Sequence, residues 1–106
     1  MPYAEVEPHE VKARLARGED VVLLDVREHD EVAAWAYPVG MHIPLGELAG
    51  RLNEVPRDTT VVVACRSGVR SAQAAQALSE AGWSAENLTG GMLAWVEDES
   101  SAAGGA

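Results

Sequence analysis

VVVACRSGVRSAQAAQAL, residues 61–78, runs from an unbroken β-branched segment, through the chain's one cysteine and a short turn of Arg, Ser and Gly, into an alanine-rich stretch of helical character. The reading is strand, turn, helix. TTVVVA, residues 59–64, is expected to be a buried central strand with Cys65 at its exit, and Ala72 to Leu78 is expected to be helical. Open α/β sheets place their sites at the carboxyl ends of strands, which is where Cys65 falls.

The alternation continues on both sides of this segment. Before it, YAEV (3–6) suits a short strand. Residues 8–17 suit a helix, with Pro8 in the first turn, Val11 and Leu15 four apart on one face and Gly18 as a stop. VVLLDV (21–26) is a continuous apolar run of the kind found in parallel strands covered on both faces, with Asp25 and Arg27 at its end. EHDEVAAWA (28–36) reads as a short helix broken by Pro38 and Gly40, and MHIPL (41–45) as a short strand. LGELAGRLNEV (45–55) repeats Leu45, Leu48 and Leu52 at helical spacing, against which Gly46 and Gly50 count. After the central segment, Gly82 is a helix terminator. SAENLTGG (84–91) offers a strand and a double-glycine turn, and MLAWVED (92–98) a helix. One domain over residues 1–98 is expected, with residues 99–106, ESSAAGGA, as a disordered tail. The fold class is α/β with a mainly parallel sheet.

Composition narrows the function. Of 106 residues, 47% are apolar and 24% charged, a globular balance. No apolar run approaches the roughly 20 residues of a membrane span, and the start MPYAEVEPHE lacks the basic and apolar regions of a signal peptide, so a cytoplasmic protein is expected. A single cysteine excludes an internal disulfide and any zinc site that needs two thiolates, and no metal or cofactor is expected. The net charge of −9 argues against nucleic acid and anionic membranes as partners. An anion site on such a chain has to be locally basic.

The cysteine turn meets that condition. A free thiol has a pKa near 8.5, so a nucleophilic cysteine needs something that favours the anion. Backbone N–H groups of Ser67, Gly68, Val69 and Arg70, curled toward Cys65 and continued by a helix N-terminus, make an anion nest. Arg66 and Arg70 add charge. Gly68 supplies the positive φ a tight cradle needs, and Ser71 is placed to cap the helix or to donate its hydroxyl inward. The alternative is that Cys65 is a small buried hydrophobe ending a strand.

These residues resemble the rhodanese-like sulfurtransferases, single-domain thiosulfate sulfurtransferases among them, over nearly the whole chain. VVLLDVREHDE is similar to that family's first strand with its Asp-x-Arg element, IPLGEL to its next landmark, CRSGVRS to its active-site loop and GGMLAW to its closing signature. The resemblance implies a three-layer α/β/α domain around a five-stranded, mainly parallel sheet, and a cysteine that carries sulfane sulfur as a persulfide. Carried onto this chain, Cys65 is the nucleophile. Arg66, Ser67, Gly68, Val69, Arg70 and Ser71 bind the transferring group, Arg66 or Arg70 attracting a small anionic donor such as thiosulfate. The acceptor is cyanide, a thiol or a protein. Asp25 and Arg27 match positions of structural character.

The chain departs from the family pattern at Trp35, Ala36, Tyr37, Pro38 and Val39, where Gly-His-Ile followed by Pro-Gly is common. Trp35 and Tyr37 either fill a local core gap or rim a pocket. His9, His29 and His42 carry no catalytic signal, and Trp83 and Trp95 read as core. Two rivals remain. A cysteine phosphatase or arsenate reductase also uses a thiolate loop, but with five residues between Cys and Arg, where Cys65 and Arg70 enclose four. A sulfur-relay or interaction module of the same fold would hand sulfur only to a dedicated protein.

Overall fold

A computed structural model describes residues 3–104, and its organising element is the strand before the cysteine, β4 (Thr60–Ala64). β4 lies in the middle of a five-stranded sheet with β1 (Ala4–Val6), β2 (Val21–Asp25), β3 (Met41–His42) and β5 (Ser84–Leu88), in the order β1-β5-β4-β2-β3. All four pairings are parallel. Side chains of β4 alternate between two apolar layers. Val61, Val63 and then Cys65 face one core with Leu24, Leu48, Ala74, Ala75 and Leu78; Val62 and Ala64 face the other with Leu23, Val11, Tyr37 and Trp95. Both faces are buried, which is why these strands read as unbroken apolar runs.

The two layers are closed by helices on opposite sides of the sheet. α1 (Pro8–Ala16) and α5 (Gly91–Gly104) supply Val11 and Trp95 to one, and α3 (Leu45–Leu48) and α4 (Val69–Glu80) supply Leu48 and Leu78 to the other. This is the three-layer α/β/α arrangement expected. α2 (His29–Ala34) buries no residue and is set by a capping box in which Glu28 and Glu31 each satisfy the other's backbone N–H. Among the described residues no helix is long and apolar enough to cross a membrane.

The strand read over residues 41–45 is only Met41–His42, the helix read over 28–36 is only His29–Ala34, and three further boundaries differ from expectation. The helix read over residues 45–55 is two pieces, α3 and a 3-10 turn at Leu52–Glu54, because Gly50 and its neighbours do not sustain an α-helix whose only buried residue is Leu48. α4 begins at Val69 rather than Ala72, since Gly68, at φ +100°, turns the chain directly into it. α5 continues past residue 98 through Gly104, so residues 99–104 of the segment expected to be disordered are helical. Ser100, Ser101, Ala102 and Ala103 contain no helix breaker, and residues 105–106 lie outside the described residues.

Candidate active site

Cys65 is the first residue beyond β4, and its side chain is 1% exposed. Gly68 N–H donates to its Sγ at 3.1 Å, Ser71 N–H lies at 3.5 Å, and the Ser71 hydroxyl at 3.3 Å. Arg66 to Gly68 form the turn. Val69, Arg70 and Ser71 are the first turn of α4, whose N–H groups have no carbonyl within the helix to bond. Burial pushes the Cys65 thiol up, but the Ser71 hydroxyl and the N–H groups of Ser71, Gly68 and Ser67 outweigh it and hold the thiol below its ordinary value. No imidazole is among these causes.

The carbonyls of the turn are held from behind, which is what leaves its N–H groups facing the sulfur. Cys65 C=O accepts from the Tyr37 hydroxyl at 2.6 Å and from Met92 N–H at 2.9 Å, and Arg66 C=O accepts from Leu93 N–H at 3.1 Å. The first turn of α5 therefore braces the loop. Its approach is close enough that a Cβ on Gly91 would stand 2.6 Å from both the Cys65 and the Arg66 carbonyl oxygens. A Cβ on Gly68 would meet the Gly90 nitrogen at 3.2 Å. The GGMLAW and CRSGVRS segments are thus two halves of one structure.

The two arginines part company. Arg70 gives both guanidinium nitrogens to Glu31 on α2, at 2.6 and 2.8 Å, and this pair holds the Glu31 carboxyl down at about 2. Arg66 is exposed, with no side-chain ion pair among the described residues. Arg66 is therefore the uncompensated positive charge at the loop. Buried Arg27 forks onto Asp25 at 2.7 to 3.1 Å and reaches the Trp35 carbonyl at 2.8 Å, fixing the end of α2 as a structural pair.

Tyr37 and Trp35 stack edge-on, and Tyr37 does the same with Trp95; Tyr37 and Trp95 are core, while half-buried Trp35 packs against them and also lines a surface pocket with Arg27, Glu31 and Arg66. Tyr37 also touches the site through its hydroxyl, a role the sequence did not disclose. Asn87 was missed as well. It is 3% exposed, accepts from Ser71 at 2.6 Å and donates to the Gly68 carbonyl at 3.1 Å. An amide in a strand that is otherwise half apolar was the available signal, because Asn is depleted in strands. His42 bonds to the Arg27 carbonyl and His29 to Glu47, away from the thiol.

The rhodanese-like domain family matches residues 7–98. The chain belongs to the rhodanese-like family. Among relatives, a sulfurtransferase of Allochromatium vinosum is 39% identical over 93 residues, covering 87% of each chain. The putative sulfurtransferase YtwF of Bacillus subtilis is 35% identical, covering 90% of this chain and 92% of its own. The human single-domain sulfurtransferase TSTD1 superposes with a TM-score of 0.77 at 30% identity, over 92% of this chain and 96% of that one. Sulfurtransferases recur among these relatives, and sulfur transfer is the activity supported at the level of the family.

Proposed function

We propose that the protein moves sulfane sulfur from a small anionic donor, thiosulfate, to a thiophilic acceptor, cyanide or a thiol, through a persulfide on Cys65. The observation that carries this reading is the convergence of Gly68 N–H, Ser71 N–H and the Ser71 hydroxyl on one buried sulfur. In the first half-reaction the Cys65 thiolate attacks the outer sulfur of thiosulfate. A new S–S bond forms, the old one breaks, and sulfite leaves with the bonding pair. In the second, the acceptor attacks the outer sulfur of the persulfide and the pair returns to Sγ as thiolate. The cradle stabilises the anion at the beginning and end of the cycle, and Arg66 draws the donor toward an otherwise acidic surface.

The chain holds one cysteine, so nothing within it resolves the persulfide. Discharge goes to an external nucleophile, which makes the route a double displacement. The test is intact mass after incubation with thiosulfate, then with cyanide or with a protein thiol. One added sulfur, absent in Cys65→Ser and removed by cyanide, is expected. A protein that gains no sulfur overturns the reading, and one that discharges only to a protein thiol is a relay rather than a turnover enzyme.

A further inference from the structure

The Ser71 hydroxyl has one proton and two acceptors within reach. Its oxygen lies 2.6 Å from Asn87 Oδ1 and 3.3 Å from Cys65 Sγ, and Ser71 is fully buried. The orientation of the Asn87 amide follows from its other neighbours. Asn87 Nδ2 is 3.1 and 3.0 Å from the two oxygens of Glu5 and 3.1 Å from the Gly68 carbonyl, groups that only accept. The NH2 group faces them, and Oδ1 is left facing Ser71. The chain of contacts runs from Glu5 on the edge strand through Asn87 and Ser71 to the sulfur, and Thr89 Oγ1 also donates to Glu5 at 2.8 Å.

We propose that Asn87 is a positioning residue that competes with the Cys65 sulfur for the Ser71 hydroxyl, so that the hydroxyl is parked on Asn87 when Sγ is neutral and turns to Sγ when Sγ becomes an anion. This deepens the sulfur-transfer reading and rests on it. In the persulfide the negative charge lies on the outer sulfur, and Sγ has little to offer a donor. When the acceptor attacks the outer sulfur, the acceptor–sulfur bond forms, the Sγ–S bond breaks and the electron pair passes to Sγ. The Ser71 O–H then rotates onto it, while the proton stays on Ser71. A donor that engages only as charge arrives favours the transition state over the ground state, which is what accelerates a step. The other charged or titratable groups about the thiol are Arg66 on the loop, Arg70 from α4, Tyr37 from the segment after α2 and, beyond Asn87, Glu5 from β1. All four are kept in the variants below.

The experiment is a cycle of Ser71→Ala and Asn87→Leu, read by the pH dependence of Cys65 alkylation, with circular dichroism to establish folding. Competition predicts that Ser71→Ala raises the thiol's apparent pKa in both backgrounds, and by more on Asn87→Leu, where the hydroxyl has no other acceptor. Equal shifts in the two backgrounds overturn the proposal and leave Asn87 as a loop anchor alone. Asn87→Ala serves in the same cycle if Asn87→Leu does not fold. Independently, Ser71→Ala should slow discharge of the preformed persulfide to cyanide about threefold to tenfold, the range of an ordinary hydrogen bond, because the hydroxyl gives up its bond to Asn87 as it turns to Sγ. An unchanged alkylation profile and discharge rate in Ser71→Ala also overturn it. Should the protein fail to load from thiosulfate, the donor reading falls, and the alkylation cycle still decides this one.

Discussion

Arg70 and Glu31 are joined by two parallel N–H···O bonds of 2.6 and 2.8 Å, so one of the two loop cations carries its own counter-ion. That pairing divides the labour between the arginines. Arg66→Glu is expected to raise the KM for thiosulfate more than Arg66→Gln, because charge reversal repels the donor as well as removing attraction. Arg70→Gln is expected to act chiefly on stability. Steady-state kinetics of the three variants, each confirmed to be folded, checks the division; a larger KM effect at Arg70 than at Arg66 reverses it.

The same pair sets an acid dependence. The folded value of Glu31 is about 2, below its ordinary value near 4.5, because Arg70 bonds its carboxylate. A depressed carboxyl contributes stability that is present above its unfolded pKa and is lost as pH falls through the folded one. The contribution should therefore fade between about pH 4.5 and about pH 2. Urea unfolding across that window should show a shallower loss in Glu31→Gln than in the wild type.

Gly91 and Gly46 offer opposite outcomes for the same substitution. Gly91→Ala places a Cβ 2.6 Å from two loop carbonyls at a φ of +57°, and is expected to open the loop and raise the thiol's apparent pKa. Gly46 has nothing within 4 Å of a built Cβ. Gly46→Ala is expected to stabilise the fold by about 0.4–1 kcal/mol, through the unfolded chain, with alkylation unchanged. Denaturant titration and iodoacetamide kinetics measure both.

Burial pushes the Tyr37 phenol well above its ordinary value, so the hydroxyl remains a donor to the Cys65 carbonyl throughout the working pH range. Tyr37→Phe keeps the ring contacts with Trp35 and Trp95, and Met92 N–H still satisfies the carbonyl. The loss should be about 1 kcal/mol in urea unfolding. A loss several times larger would show that the hydroxyl does more than share this acceptor.

Cys65 should alkylate with an apparent pKa below that of an ordinary cysteine, and Gly68→Val should raise it. At φ +100° a β-branched residue is strained, and its Cβ would also press on the Gly90 nitrogen, turning the nearest N–H donor off the sulfur. His42→Ala should leave the profile alone. A larger shift from His42→Ala than from Gly68→Val contradicts a backbone-made cradle.

Local chemistry made most of this legible. The β-branched run Val61 to Ala64 favoured a strand buried on both faces, and the alanine-rich run from Ala72 favoured a helix after the turn, so the sheet class and the place of Cys65 followed. The partner of Arg70 did not follow, because Glu31 lies 39 residues from it and no local pattern joins them. Tyr37 and Asn87 were hidden for the same reason. Each acts on the loop across the sheet or its edge, through contacts between residues 16 to 28 apart. The helix over residues 99–104 was misjudged from composition, since small residues suit a helix as well as a coil.

The pairing of β1 with β5 has a consequence for how the chain becomes active. Glu5 meets Asn87 across 82 residues, and the edge strand that carries it is docked by the contact most distant in sequence in the sheet. Contacts of such separation are slow to form because the chain closure they require is unfavourable until neighbouring strands are in place. The β2, β4 and β5 ladders can therefore assemble before the cradle's outer support does. Cys65 alkylation followed during refolding from urea is expected to reach its native rate only after the β2, β4 and β5 ladders have formed.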